Sequence, residues 1–177
     1  MRMIASVSTG QIDLGLLLLR VAVGATMAVH GWNHIFGGGK IAGTAGWFES
    51  LGMRPGKLHA WLASITEVAA GVALVAGFLT PLSAGALIGV SVVAWITNHR
   101  TAGFFVFRRP TEGWEYLMNL TAAFVAVACL GAGEWSLDHA IGFEPGGWWG
   151  FGLAAVIGLG GAASLLVVFW RPARPTA

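Results

Sequence analysis

Apolar positions run almost unbroken through five stretches of this chain, and the polar positions that interrupt them are few. The stretches cover residues 14–35, 58–79, 82–99, 114–130 and 149–170. Each is about 17–22 residues long, enough to cross a hydrocarbon core of about 30 Å as a helix. No β-barrel alternation appears, and helices are the favoured way to satisfy the backbone in lipid. The connection "LTPLS" is a tight proline turn that makes spans two and three antiparallel neighbours. Within the longer first connection, "TAGWFESLGM" is too short to span and carries Trp47 and Phe48 beside Glu49. It is expected to lie at the interface or fold back over the bundle. The pattern predicts an all-α integral membrane protein.

Composition strengthens that reading. Only 10% of the residues are charged and 56% are hydrophobic, against about 25% charged in an ordinary soluble domain. Nine tryptophans and 27 glycines suit interface anchoring and close helix approach. The net charge of +2 is small, and no basic cluster suggests a nucleic-acid partner. The one cysteine, Cys129, lies in an apolar run, which excludes internal dithiol chemistry. The first apolar run is long and contains Arg20, so it reads as a retained helix and not a cleaved signal.

Lys40, Arg54, Lys57, Arg100, Arg108, Arg109, Arg171 and Arg174 fall on one side of a five-span arrangement. Arg2 is alone on the other side and Arg20 is intramembrane. The excess of Lys and Arg places the N-terminus outside and the C-terminus in the cytoplasm.

Two ionisable residues lie within spans. Arg20 sits in span one and Glu67 near the middle of span two. A charge at mid-bilayer costs at least about 2.5–3.5 kcal/mol and so normally has a partner. An Arg20–Glu67 pair is the first expectation; snorkelling of Arg20 or a neutral Glu67 are the alternatives. His30 and His34 are four apart, and Arg20 shares their sector of the helix. Trp95, Asn98 and His99 close span three, and Trp114, Glu115 and Asn119 open span four. Alternation of the spans brings these groups, with His59, to one end of the bundle. The expected result is a polar cavity open toward the basic side, floored by Glu67 and Arg20, with little comparable at the other end.

Three ligands suit such a cavity. A quinone needs an apolar slot with hydrogen-bonding groups at its carbonyls and a nearby proton exchanger. In that scheme Glu67 relays protons, Arg20, His30, His34, Asn98, His99, Glu115 and Asn119 surround the head group, and Trp95 or Trp114 line the slot. A haem, less favoured, would need His30 or His34 opposite His99. A divalent metal on two histidines and a carboxylate has only spacing to support it, so no metal is assigned. The plain alternatives are interface histidines, tryptophan belt anchors and a structural Arg–Glu clasp.

Several stretches resemble the DoxX family of small membrane proteins: "LLLLRVAVGATMAVHGWNHIFG", "TAGWFESLGMRPG", "ITEVAAGVALVAGFLTPL", "WITNHRTAGFF", "GWEYLMNLTAAF" and "GAGEWSLD". The resemblance spans residues 13–139. It implies a four-helix membrane core over residues 1–140. A linker, a fifth transmembrane helix and a short basic tail then occupy 141–177. It also implies a bacterial plasma-membrane location and kinship with quinone-linked oxidoreductase subunits and redox-stress complexes. On a broader view it extends to cargo receptors and assembly chaperones. The family's polar positions correspond to Arg20, His30, Glu67, Asn98, His99, Glu115 and Asn119. Three features depart from the family: His34 stands where a lysine is frequent, Pro81 where a basic residue is common, and the fifth span is additional. Many family members keep the N-terminus in the cytoplasm, against the charge count here.

The fifth span has no ionisable residue. Its Gly150, Ala154, Gly158 and Ala162 form a small-residue stripe suited to packing on the core, a partner or a second copy. The favoured functional expectation is a membrane subunit of a redox-linked complex that binds quinone. The sequence carries no motif of an electron carrier, so a protein partner would deliver electrons. The alternative is a non-catalytic scaffold or assembly chaperone; a small-solute or lipid carrier is less favoured, since no inverted repeat is discernible.

Overall fold

A computed structural model describes residues 7–107 and 112–172. Arg2, Arg108, Arg109 and Arg174 of the charge count lie outside the described residues. The chain forms α1 (Thr9–Phe36), α2 (Lys40–Ser50), α3 (Gly56–Ala76), α4 (Thr80–Ala94), α5 (Glu115–Leu130), α6 (Leu137–Ala140) and α7 (Gly147–Phe169). A π-helical turn, Trp95–His99, continues α4. The helices α1, α3, α4 with its π turn, and α7 are long and apolar enough to cross a membrane.

α5 has 16 residues, about 24 Å of helix, short of a full hydrocarbon core. It still carries the chain from one end of the bundle to the other. Tyr116 in its first turn meets His99, and Gly131 after its last turn abuts Gly146 ahead of α7.

Local chemistry fixes the helix ends. Ser8 opens α1 with a capping box, its hydroxyl accepting from the Gln11 N–H and its own N–H donating to the Gln11 side chain. Gly77 ends α3 at φ +64, a left-handed position that glycine adopts without steric cost. Pro81 sits in the first turn of α4, where its missing N–H removes no helix bond.

Small residues set two close crossings. A Cβ added to Gly24 or Gly71 would lie 2.6 Å from the other residue's carbonyl oxygen, so α1 and α3 touch backbone to backbone. α4 and α7 do the same through Gly85, Gly89, Ala154 and Gly158. All four residues of the stripe on α7 are buried. The stripe is therefore used within the chain, Gly150 against Ala128 of α5 and Ala154 and Gly158 against α4, and is not the surface on which a second copy would dock. Leu74, Leu87, Phe124 and Val127 form the fully buried centre. α2 buries no residue completely but folds back onto α3 and α1. After α7 the chain is stitched to the α2–α3 turn: the Trp170 indole donates to the Leu51 carbonyl (3.0 Å), and the Arg171 N–H to the Gly52 carbonyl (2.7 Å).

Candidate functional site

The π turn shapes the candidate site. The Arg100 N–H donates to the Trp95 carbonyl (2.9 Å), five residues back. The extra residue in that turn changes the helical phase, a device frequent at functional sites. Thr97, Asn98 and His99 thereby line a cavity of about 320 Å³. α2 contributes Trp47 and Phe48, α3 His59 and Glu67, and α7 a wall from Ile157 to Leu165. The volume is that of an ordinary small-molecule site.

Glu67 is buried midway along α3, and its Oε2 has no hydrogen-bond partner. His34 Nε2 stands 3.5 Å from that oxygen. Gly31 makes this approach possible: a Cβ there would lie 2.9 Å from the Glu67 Cβ. The His34 ring is held between Trp47 and Phe48, with centroids at 6.3 and 6.0 Å.

His99 is oriented from both sides. Its Nδ1 lies 2.9 Å from the Glu112 carbonyl, which can only accept, so Nδ1 carries the proton. In the neutral ring Nε2 then accepts, from the Tyr116 hydroxyl (3.0 Å) and the Asn98 amide (3.2 Å). His59 packs edge-on against Phe169 at 4.9 Å, and its buried Nδ1 is unpartnered.

Of the residues singled out in the sequence, Glu67, Asn98 and His99 line the cavity, and His34 contacts Glu67. Six others do not join them. His30 is exposed on the outer face of α1. Trp95 is 45% exposed. Trp114 packs on Phe104 (5.0 Å) in the α4–α5 connection. Glu115 accepts from the Val106 N–H (3.2 Å) and so ties that loop to α5. Asn119 is exposed and donates to the Glu115 carbonyl.

Arg20, the sixth, overturns two expectations. It makes no pair with Glu67. Its guanidinium donates to the carbonyls of Leu74 (3.3 Å), Val75 (3.1 Å) and Trp135 (2.7 Å), at the opposite end of the bundle. That end is not polar-poor either. Asp138, buried and within electrostatic range of Arg20, accepts from the N–H groups of Leu79 (2.7 Å) and Thr80 (2.8 Å), capping α4. Asp13, also buried, accepts from the Glu134 N–H (2.9 Å). A side chain at Gly77 would strike Arg20 Nη1 at 2.3 Å.

Tyr116 belongs to the cavity end but was outside the sequence-derived set, whereas His59 was placed at that end without a role in the site. The signal for Tyr116 was its being the single tyrosine, one residue from Glu115 and in register with His99.

The geometry does not suit a haem. Both nitrogens of His99 are engaged by protein groups, and His30 faces outward. Among the described residues no three His, Cys, Asp or Glu side chains gather as metal ligands.

The DoxX family model matches residues 15–100, from the second turn of α1 to the end of the π turn. Over those residues the chain resembles the DoxX family. No curated protein and no solved structure matches it.

Proposed function

We propose that this chain is a DoxX-type membrane subunit that binds a quinone or quinol in the cavity walled by α2, α3, α4 and α7. One observation carries the reading: a buried carboxyl oxygen of Glu67, without a hydrogen-bond partner, in a mainly apolar cavity. An unsatisfied buried polar atom costs about 1–3 kcal/mol, and a ligand hydroxyl or a bridging water at a ligand carbonyl would satisfy it. A quinone head group fits that chemistry, with Asn98 available at the far carbonyl.

Reduction of a quinone takes two electrons and two protons. Here Glu67 and His34 exchange the protons, since His34 is only partly buried and links Glu67 to the basic end. His99, fixed by Tyr116 and Glu112, holds Asn98 in place. The electrons come from a protein partner. The described basic residues Lys40, Arg54, Lys57, Arg100 and Arg171 lie at the cavity end, which the charge rule assigns to the cytoplasm.

The test is gentle purification of the full chain from its own membrane, followed by identification of bound small molecules by mass spectrometry. Stoichiometric quinone that is lost in Glu67→Gln and reduced in His99→Ala supports the reading. A preparation without quinone that holds a stoichiometric protein partner overturns it in favour of a scaffold.

A further inference from the structure

The cavity has a direction. Its polar groups, His59, Thr66, Glu67, Thr97, Asn98 and His99, run from the basic end to midway along α3. Beyond them the lining is apolar and runs along α4 as far as Ala86, with Ile157 opposite. From Ala86 to His99 the site extends about 20 Å along the helix axis. Both α3 and α7 pack on α4, but they make almost no contact with each other. They meet at the basic end, where the His59 ring touches Phe169 and Trp170 bonds Leu51. That clasp closes the end nearest water. Further along, the two helices are separated, and α4 forms the floor of the gap.

The lips of this gap are identifiable. Leu62 on α3 is 46% exposed yet lines the cavity, and Gly161 on α7 is likewise exposed and lining. Both lie well inside helices that are long and apolar enough to cross the membrane. The mouth they frame therefore faces lipid tails.

We infer that the cavity opens sideways into the bilayer between α3 and α7 and takes a single-chain lipid, its hydrogen-bonding head beside Glu67 and Asn98 and its tail along α4. This rests on the proposed ligand site and extends it to the ligand's tail and its route. A volume of about 320 Å³ has room for one head and one chain, and not for a two-chained phospholipid. A head group requiring partners next to Glu67, joined to a tail that leaves through an apolar slot, is the chemistry of a lipid-tailed quinone. A small water-soluble ligand would leave the apolar stretch unfilled and would have to pass the clasp.

Gly161 supplies a clean test, because a Cβ added there meets nothing within 4 Å. Gly161→Trp places an indole at the mouth from a position where the new Cβ meets no neighbour. Gly160→Trp, equally free of clashes and outside the cavity, is the control. Binding of a long-tailed benzoquinone and of a tail-free benzoquinone is measured by quenching of tryptophan fluorescence, with the full chain in phosphatidylcholine nanodiscs. Gly161→Trp is expected to weaken the tailed probe by at least about tenfold, the equivalent of roughly two buried methylenes. The tail-free probe and Gly160→Trp should be unaffected. Equal weakening of both probes, or no change for the tailed one, overturns the inference.

If the unmodified chain binds neither quinone, the proposed function falls, and a fatty alcohol with a photoreactive tail then decides the groove. Cross-links on α7 around Gly161 that vanish in Gly161→Trp support it. Cross-links elsewhere only overturn it.

Discussion

The two ends of this bundle use buried polar residues in opposite ways. At the end that holds Arg20, the buried side chains are closed off by backbone: the guanidinium bonds three carbonyls and Asp138 caps α4 with two N–H bonds. At the end that holds Glu67, the buried side chain meets only a histidine at 3.5 Å and an empty volume. Among the described residues only Arg20 Nε and Thr80 Oγ1 are left unpartnered at the Arg20 end; a largely satisfied network fixes one arrangement of the chain, whereas a carboxyl oxygen without a partner leaves chemistry available to something else. The same class of residue, an ionisable side chain inside the membrane, serves architecture at one end and a site at the other.

Substitutions should separate the two. The largest expected effect is from Arg20→Met, which strips the guanidinium from three carbonyls, that of Leu74 fully buried, and leaves Asp138 without its cation. A loss of about 3–5 kcal/mol is expected, read as a collapse of folded yield and of the unfolding temperature in detergent. Recovery of normal stability would erase the distinction between the ends. Next is Gly158→Leu, since a Cβ there would already stand 2.8 Å from the Gly85 carbonyl. Forcing α7 off α4 should cost about 1–3 kcal/mol, as overpacking does, and chemical unfolding would measure it. Asp138→Asn retains one acceptor at the α4 cap and should cost about 1 kcal/mol.

Glu67→Gln inverts the pattern. It is expected to change stability by less than about 1 kcal/mol, as removal of a poorly satisfied charge does, while abolishing retention of the ligand. A stability loss on the scale of Arg20→Met would make Glu67 architectural as well. The smallest effect lies outside the membrane. His139 bonds the Glu144 carboxylate, and this bond holds its pKa above the ordinary histidine value. The raised value means the contact favours the fold below the ordinary pKa and is lost as pH rises through the raised one. An NMR titration of His139 should move down in Glu144→Gln, with no effect on the Glu67 end.

Much of this arrangement could be read from the chain. Apolar run lengths gave the helices, and a period of four in small residues marked the buried face of α7. Glu67 stood out by its depth, and the alternation of spans brought His34, Asn98 and His99 to its end. Arg20 could not be assigned the same way. Its partners are backbone carbonyls of α3 and of the 131–136 segment, and any residue type can provide a carbonyl. That the latter segment folds under the bundle depends on Asp138 reaching the α4 cap, 58 positions away in sequence.

Helix phase was the other gap. His30, Trp95 and Asn119 lie on helices apolar all round, where periodicity discriminates poorly between faces. The π turn then shifts the phase between Trp95 and His99, which breaks the four-residue spacing that joined them on one face. His30 points outward because Gly24, Met27 and Gly31, on the other side of α1, hold the contact with α3 and the core.

The wall that α7 gives the cavity has a consequence for biosynthesis. α7 leaves the ribosome after the other described helices, and the family-matched portion of the chain is complete before it appears. Until then Gly85 and Gly89 of α4 face lipid without their partner helix, and the groove along α4 has only one bank. Arrival of α7 covers those glycines, and Trp170 then fastens to Leu51. The arrival of α7 is thus the step that creates the compartment, so a chain stopped before Gly147 would insert in the membrane and still have no place to hold a ligand.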